Sequence, residues 1–191
     1  MAARRNLFVI TGPPGSGKTP ILRELRALGF PTVPEPAREV IAEQRARGGD
    51  GVYDRNPALF VELMLERAVA DYRRRHGASG RVFFDRAIPD LIGYAELFGL
   101  DPSKAVGAAA VYRYQDPVFV LPSWPEIYVT DDERRMTVSE ASAFGDRIRN
   151  IYVELGYSIV DVPRESIAER TRFILHILGL AGSVIRTAEG S

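Results

Sequence analysis

The stretch Gly12-Pro13-Pro14-Gly15-Ser16-Gly17-Lys18-Thr19 follows an apolar run, LFVIT, and meets the pattern G-x-x-x-x-G-K-[ST]. Each part of that pattern has a chemical use. Glycines let the backbone curl so that its N–H groups converge on phosphate oxygens. Lys18 adds a point charge for β and γ phosphates, and the Thr19 hydroxyl is a ligand for Mg²⁺. The helix expected next presents its positive end to the same anion. Acids and arginines follow three later apolar runs: Glu35 after the second, Asp85-Arg86 after the third, and Arg134-Arg135 beyond the fourth. Chemistry on phosphate is the reading these residue types support.

Pro20 interrupts the motif. The residue after the Thr ordinarily gives its N–H to an α-phosphate, and proline has none. It also biases Thr19 away from helical geometry. Proline is nonetheless tolerated in a first helical turn, where N–H groups lack partners within the helix. The expectation is that β and γ phosphates are held normally and the α-phosphate loses one hydrogen bond.

Such residues act only if the fold brings them together. Leu7–Thr11 reads as a buried strand, 17–28 as a helix stopped by Gly29, and Phe30–Glu35 as a second strand. Ala37–Arg47 reads as a helix and 48–51 as a loop. Pro57 opens a longer helix, with Leu59, Phe60, Leu63, Met64 and Tyr72 at helical spacing and Arg73-Arg74-Arg75 at its end, where positive charge suits the dipole. Arg81–Arg86 is a third strand, 88–98 and 102–114 are helices, and Pro117–Leu121 is a fourth strand. Thr137-Val138-Ser139-Glu140 is a capping box for a helix to about Leu155, and Ser166-Ile167-Ala168-Glu169 caps another ending near Gly179. Tyr157–Val162 between them is a fifth strand. Strands alternating with helices predict an α/β fold: a five-stranded parallel sheet in a three-layer α/β/α P-loop arrangement. In such sheets ligands bind at the carboxyl ends of the strands, where the four stretches fall.

Composition narrows the field. The chain of 191 residues suits one domain, drawn at 1–180 with a lid at about 122–137 and a polar tail at 181–191. Net charge is zero, which gives no broad attraction to nucleic acid or to an anionic membrane. There is no cysteine, which excludes disulfides, thiolate zinc sites and a thiol nucleophile. The apolar run in MAARRNLFVIT is short for a signal peptide, and no stretch approaches the roughly 20 apolar residues of a membrane span. A cytoplasmic protein, monomeric or homodimeric, is expected. His76 and His176 carry no catalytic constellation, and His176 reads as a half-buried packing residue. Among P-loop classes, the guanine motif N-K-x-D and the transporter signature L-S-G-G-Q are missing, and the chain is short for a ring-forming ATPase. A small kinase remains.

Val33-Pro34-Glu35-Pro36-Ala37-Arg38 resembles the EP-x-AR segment of deoxynucleoside kinases, and Phe83-Phe84-Asp85-Arg86-Ala87 is similar to their FFERS segment. With FFDRAIPDLIGYAE, FVLPSWPEIYVTDDERR, ELGY and VPRES…ER…FIL, the chain over about residues 5–179 resembles a bacterial family of small predicted ATPases or kinases related to the nicotinamide riboside kinase domain. Asp85 stands where deoxynucleoside kinases have glutamate and Ala87 where they have serine, and their base-reading residues have no counterparts, so nucleoside specificity does not carry over.

The resemblance implies roles. Glu35 would act as base on an acceptor hydroxyl, for which it must come within about 2.6–3.2 Å; the plainer alternative is a pair with Arg38, one helical turn away. Asp85 would position Mg²⁺, or else cap the next helix. Arg86 and Arg38 would contact phosphate or acceptor, or form structural salt bridges. Asp90 and Tyr94 would line the acceptor pocket, or serve surface and core. Arg134, with Arg135 beside it, would close on the γ-phosphate as a lid arginine, an effect worth roughly 10³–10⁵ in rate in arginine-finger systems; the alternative is a solvated charge run. Trp124 and Tyr128 would pack the lid, or stack on a ring. The expected activity is ATP- and Mg²⁺-dependent phosphoryl transfer to a hydroxyl of a small molecule, with a nucleoside-like acceptor among the candidates. A nucleotide hydrolase acting as a switch, and a nucleotide-binding interaction protein without turnover, are the rivals.

Overall fold

The apolar runs form five strands: β1 (Leu7–Thr11), β2 (Thr32–Val33), β3 (Val82–Asp85), β4 (Val118–Val120) and β5 (Ile159–Asp161). They pair in parallel in the order β2-β3-β1-β4-β5. The structure, a computed structural model, describes residues 6–127 and 136–180. The helices are α1 (Lys18–Ala27), α2 (Pro36–Ala46), α3 (Pro57–Arg75), α4 (Asp90–Leu97), α5 (Ser103–Val111), α6 (Val138–Glu154) and α7 (Ile167–Ile177).

Alternation along β1 assigns the two faces. Leu7 and Val9 join a core built with α2 to α6, while Phe8 and Ile10 join a smaller core under α1 and α7. Phe83 and Phe119 take the second side, and Val82, Phe84, Val118 and Val120 take the first. Both faces of the sheet are covered, which explains why the strands read as continuous apolar runs. The expected α/β fold with a five-stranded parallel sheet is the fold observed.

Several elements are shorter than the sequence suggests, β3, β4 and β5 among them, and for β2 and α5 the cause is visible. β2 keeps only two of the six residues expected, because Pro31 and Pro34 flank it and proline cannot donate to a ladder; an edge strand tolerates this. α5 stops at Val111 rather than 114. The backbone beyond it is claimed by side chains: Tyr72 Oη donates to Arg113 O at 2.8 Å, and the Tyr114 N–H donates to Tyr157 Oη at 3.1 Å. Both capping boxes form as expected. His176 is exposed, not half-buried, since α7 turns its Ile174–Leu175 side inward.

Candidate active site

The glycine loop joins β1 to α1. Gly17, with φ of 84°, is the residue before the helix, in a left-handed conformation that costs glycine nothing. Gly12 is required by proximity: a Cβ there would stand 2.4 Å from the Leu121 carbonyl oxygen at the end of β4. The outer side of the loop is equally close to α6, where a Cβ on Gly145 would lie 2.8–3.0 Å from three atoms of the Pro13 ring. Lys18 Nζ donates to Pro13 O at 2.9 Å and Gly12 O at 3.2 Å. Burial, then the charge of Arg86, lowers its pKa to about 8. Pro20 is the third residue of α1, within the first turn, so the helix starts despite it.

A buried ionic network stands beside the loop. Arg86 leaves β3 with φ of 63°, the one non-glycine residue in the left-handed region among those described. Its Nε donates to Glu35 Oε1 at 2.8 Å, and its Nη1 to Asp90 Oδ1 at 3.2 Å. Asp90 also accepts from the Ala87 N–H at 2.9 Å, from Tyr152 Oη at 2.6 Å and from the Thr11 hydroxyl. Glu35 accepts a further bond from Tyr94 Oη at 3.1 Å and pairs with Arg38 at 3.5 Å. Burial alone would raise the Glu35 pKa, but Arg86, Lys18 and Arg38 outweigh it and hold it at about 2. Asp85 is the opposite case: burial, then the charge of Glu35, pushes it up to about 7.

A cavity of about 960 Å³ opens on this assembly. Pro14, Gly15, Gly17, Lys18, Thr19 and Pro20 line it along the loop. Toward β2 its wall carries Glu35, Arg38 and Arg86 among Ile41, Tyr53, Phe60, Tyr94, Leu97 and Phe98. Toward β4 and β5 it meets Trp124, Ile127, Glu165, Ser166, Ile167 and Arg170.

Lys18, Thr19, Glu35, Arg38, Arg86 and Tyr94 thus share one cavity. Both readings of Glu35 meet there, since it pairs with Arg38 yet faces the cavity. Asp90 is corrected: it is fully buried and absent from the cavity wall, because four donors hold it beneath Arg86. Asp85 caps no helix, as α4 begins five residues later without a side-chain cap. Gly12, Pro13 and Ser16 shape the loop behind its cavity face. Arg134, Arg135 and Tyr128 lie outside the described residues. Three residues were given no role by the sequence, Arg170 appearing there only within the quoted ER pair. Thr11 and Tyr152 serve Asp90 from β1 and α6. Arg170 lies against the loop, and its signal was a charge four residues before Ile174 on the inward side of α7.

The residues present fit a magnesium ion. Asp85 does not line the cavity, but its buried Oδ1 has no hydrogen-bond partner among the described residues, and the charge of Lys18, the neighbour of the cavity-lining Thr19, acts on it. No cluster of three or more acidic, histidine or cysteine ligands occurs among the described residues. Mg²⁺ is commonly bound through one or two side chains plus substrate phosphates. No described helix is long and apolar enough to cross a membrane.

A family model described as an AAA domain matches residues 7–170. Among solved structures, NadR protein in complex with NR is similar over 93% of this chain and 52% of its own, at 19% identity and a TM-score of 0.65. NadR protein in complex with NAD and AMP-PNP matches over 90% of this chain and 49% of its own, at 18% identity and a TM-score of 0.63. Deoxyadenosine kinase from M. mycoides, with products dCMP and a flexible dCDP bound, matches over 91% of this chain and 98% of its own, at 16% identity and a TM-score of 0.62. The chain spans about half the length of the NadR chains it matches. No curated protein matches it significantly. Likeness at these identities is likeness of fold: the chain shares the α/β fold of NadR protein and of deoxyadenosine kinase.

Proposed function

This chain belongs to the AAA domain family, and from that premise we propose that it is an ATP- and Mg²⁺-dependent phosphotransferase carrying the γ-phosphoryl group to a hydroxyl of a small molecule. One observation carries the reading. Glu35, held by Arg86 at 2.8 Å and Tyr94 at 3.1 Å, stands on a cavity wall that continues from the glycine loop onto an apolar, ring-lined surface. Water needs no such surface as an acceptor, whereas an organic hydroxyl compound does.

The acceptor oxygen attacks the γ-phosphorus, the bond to the β–γ bridging oxygen breaks, and ADP leaves. Glu35 is ionised throughout the working range of pH, so it accepts a hydrogen bond from the acceptor hydroxyl and aims its lone pair at phosphorus. A carboxylate held at about 2 is a weak base, and it takes the proton late, as charge on the hydroxyl develops. Lys18 and Arg86 neutralise the oxygens of the moving group. Thr19 and Asp85 would hold Mg²⁺, which supplies charge neutralisation on the phosphate oxygens. Arg134, in the segment before α6, is proposed to complete the cation set.

The test is ATP consumption against a library of small hydroxyl compounds, with phosphorylated product read by mass. Acceptor-dependent turnover lost in Lys18→Ala and Glu35→Gln is expected. Release of phosphate regardless of acceptor, and equally fast in Glu35→Gln, would overturn the reading in favour of a hydrolase.

A further inference from the structure

Arg170 is a buried cation for which the phosphoryl-transfer mechanism has no use. It is the fourth residue of α7, only 2% exposed, and among the largest fully buried side chains. Among the described residues no carboxylate pairs with it. Its Nη2 donates to Ser16 O at 2.7 Å, and its Nη1 lies 2.8 Å from where a Cβ on Gly17 would stand. Its Nε has no partner among the described residues, and its guanidinium lies over the Trp124 ring at 5.3 Å. Burial lowers its pKa. Taking a guanidinium out of water without a counter-charge is costly. The cost is offset when a ligand brings the opposite sign.

The place of Arg170 says which part of a ligand that is. It shares the cavity wall with Thr19, Pro20, Trp124 and Ser166, on the β4–β5 side of the loop and away from Glu35. Pro20 stands in the first turn of α1 without an N–H, so that helix start offers an anion one donor fewer than usual. We propose that Arg170 binds the phosphate chain of the nucleotide at the end nearest the base, supplying from α7 the donor that Pro20 withholds from α1. The inference rests on the reading of this cavity as a nucleotide site, and it is independent of what accepts the phosphoryl group.

The experiment is calorimetric binding of ADP and of adenosine to the full chain, as wild type, Arg170→Gln, Pro20→Thr and the double variant. A charge-assisted bond implies that Arg170→Gln weakens ADP about 10- to 100-fold. Adenosine, which has no phosphate, changes less than about twofold on the same argument. In the Pro20→Thr background, with an N–H restored, the Arg170→Gln loss shrinks. Arg170→Lys, which keeps charge and most volume, retains ADP binding better than Arg170→Gln and serves if the latter does not fold. Equal losses for ADP and adenosine, or no loss for either, would overturn the inference while leaving the kinase reading intact. Wild type that binds no ADP would overturn both. ADP binding without transfer to any hydroxyl compound would overturn the kinase reading alone.

Discussion

Arg86 and Glu35 meet across 2.8 Å, joining the exit of β3 to the exit of β2. Fifty-one positions separate them in the chain, so the carboxylate expected to prepare the acceptor is aimed by a residue from a neighbouring strand. Its proton affinity follows. The Glu35 pKa of about 2 lies below the usual 4.5, so the folded protein holds this proton less tightly than the unfolded chain. The pair therefore stabilises fully above about pH 4.5 and its contribution is lost as pH falls toward 2. Asp85, pushed up to about 7, acts in the opposite sense as pH falls, so the Glu35 share is read as a difference: from pH 6 to pH 3 the stability of wild type relative to Glu35→Gln in denaturant unfolding should decline on the order of 2 kcal/mol.

The same Glu35→Gln substitution should lower kcat at least about 100-fold, since an amide oxygen accepts a hydrogen bond from a hydroxyl but carries no charge and does not take its proton. Nucleotide affinity should hold within about threefold, because Glu35 faces the acceptor side of the cavity rather than the loop. Single-turnover kinetics alongside nucleotide titration separates the two effects.

Asp90 is surrounded by donors. Asp90→Asn places an amide NH₂ among groups that all donate, and leaves Arg86 with one charge partner fewer. Breaking a buried pair in this way should cost about 3–5 kcal/mol. Urea unfolding measures the cost. A loss within that range accompanied by weakened turnover at saturating nucleotide would identify Asp90 as the residue that positions Arg86.

Gly145 should admit no side chain. A Cβ there meets the Pro13 ring at 2.8–3.0 Å, and a proline ring cannot swing aside. Gly145→Ala should cost about 1–3 kcal/mol as overpacking and displace the outer turn of the glycine loop. Weaker ADP binding by the folded variant, measured by titration, checks the displacement.

Arg134→Ala should reduce kcat by roughly 10³ if it arrives on the γ-phosphate as proposed. Arg135→Ala should do so far less, and a comparison of the two rates tells a directed contact from a shared charge effect.

The glycine loop, both capping boxes and the parallel sheet were legible in the sequence because each is written in neighbouring residues or in a short period. Glu35, Asp85 and Arg86 were legible because they end apolar runs, and strand ends in such a sheet share one edge. The Asp90 cluster was not. Its partners Thr11 and Tyr152 stand 79 and 62 positions away, and only the folded core makes them neighbours. Arg170 was hidden for a related reason: its partners are a carbonyl oxygen and an aromatic face, and neither leaves a pattern in the chain. β2 was overestimated because β propensity ignores the prolines that deny it ladder bonds.

Asp90 binds β1, the turn after β3 and α6 to one carboxylate, with α4 as its own helix, and that carboxylate also holds the arginine that faces the cavity. The Arg86 side of the cavity and the core should therefore unfold together as one cooperative unit. A compound that occupies the cavity must raise the midpoint of global unfolding as its occupancy rises. The acceptor can accordingly be sought without a catalytic assay, by melting the protein with ADP and one candidate at a time and looking for a midpoint higher than ADP alone produces.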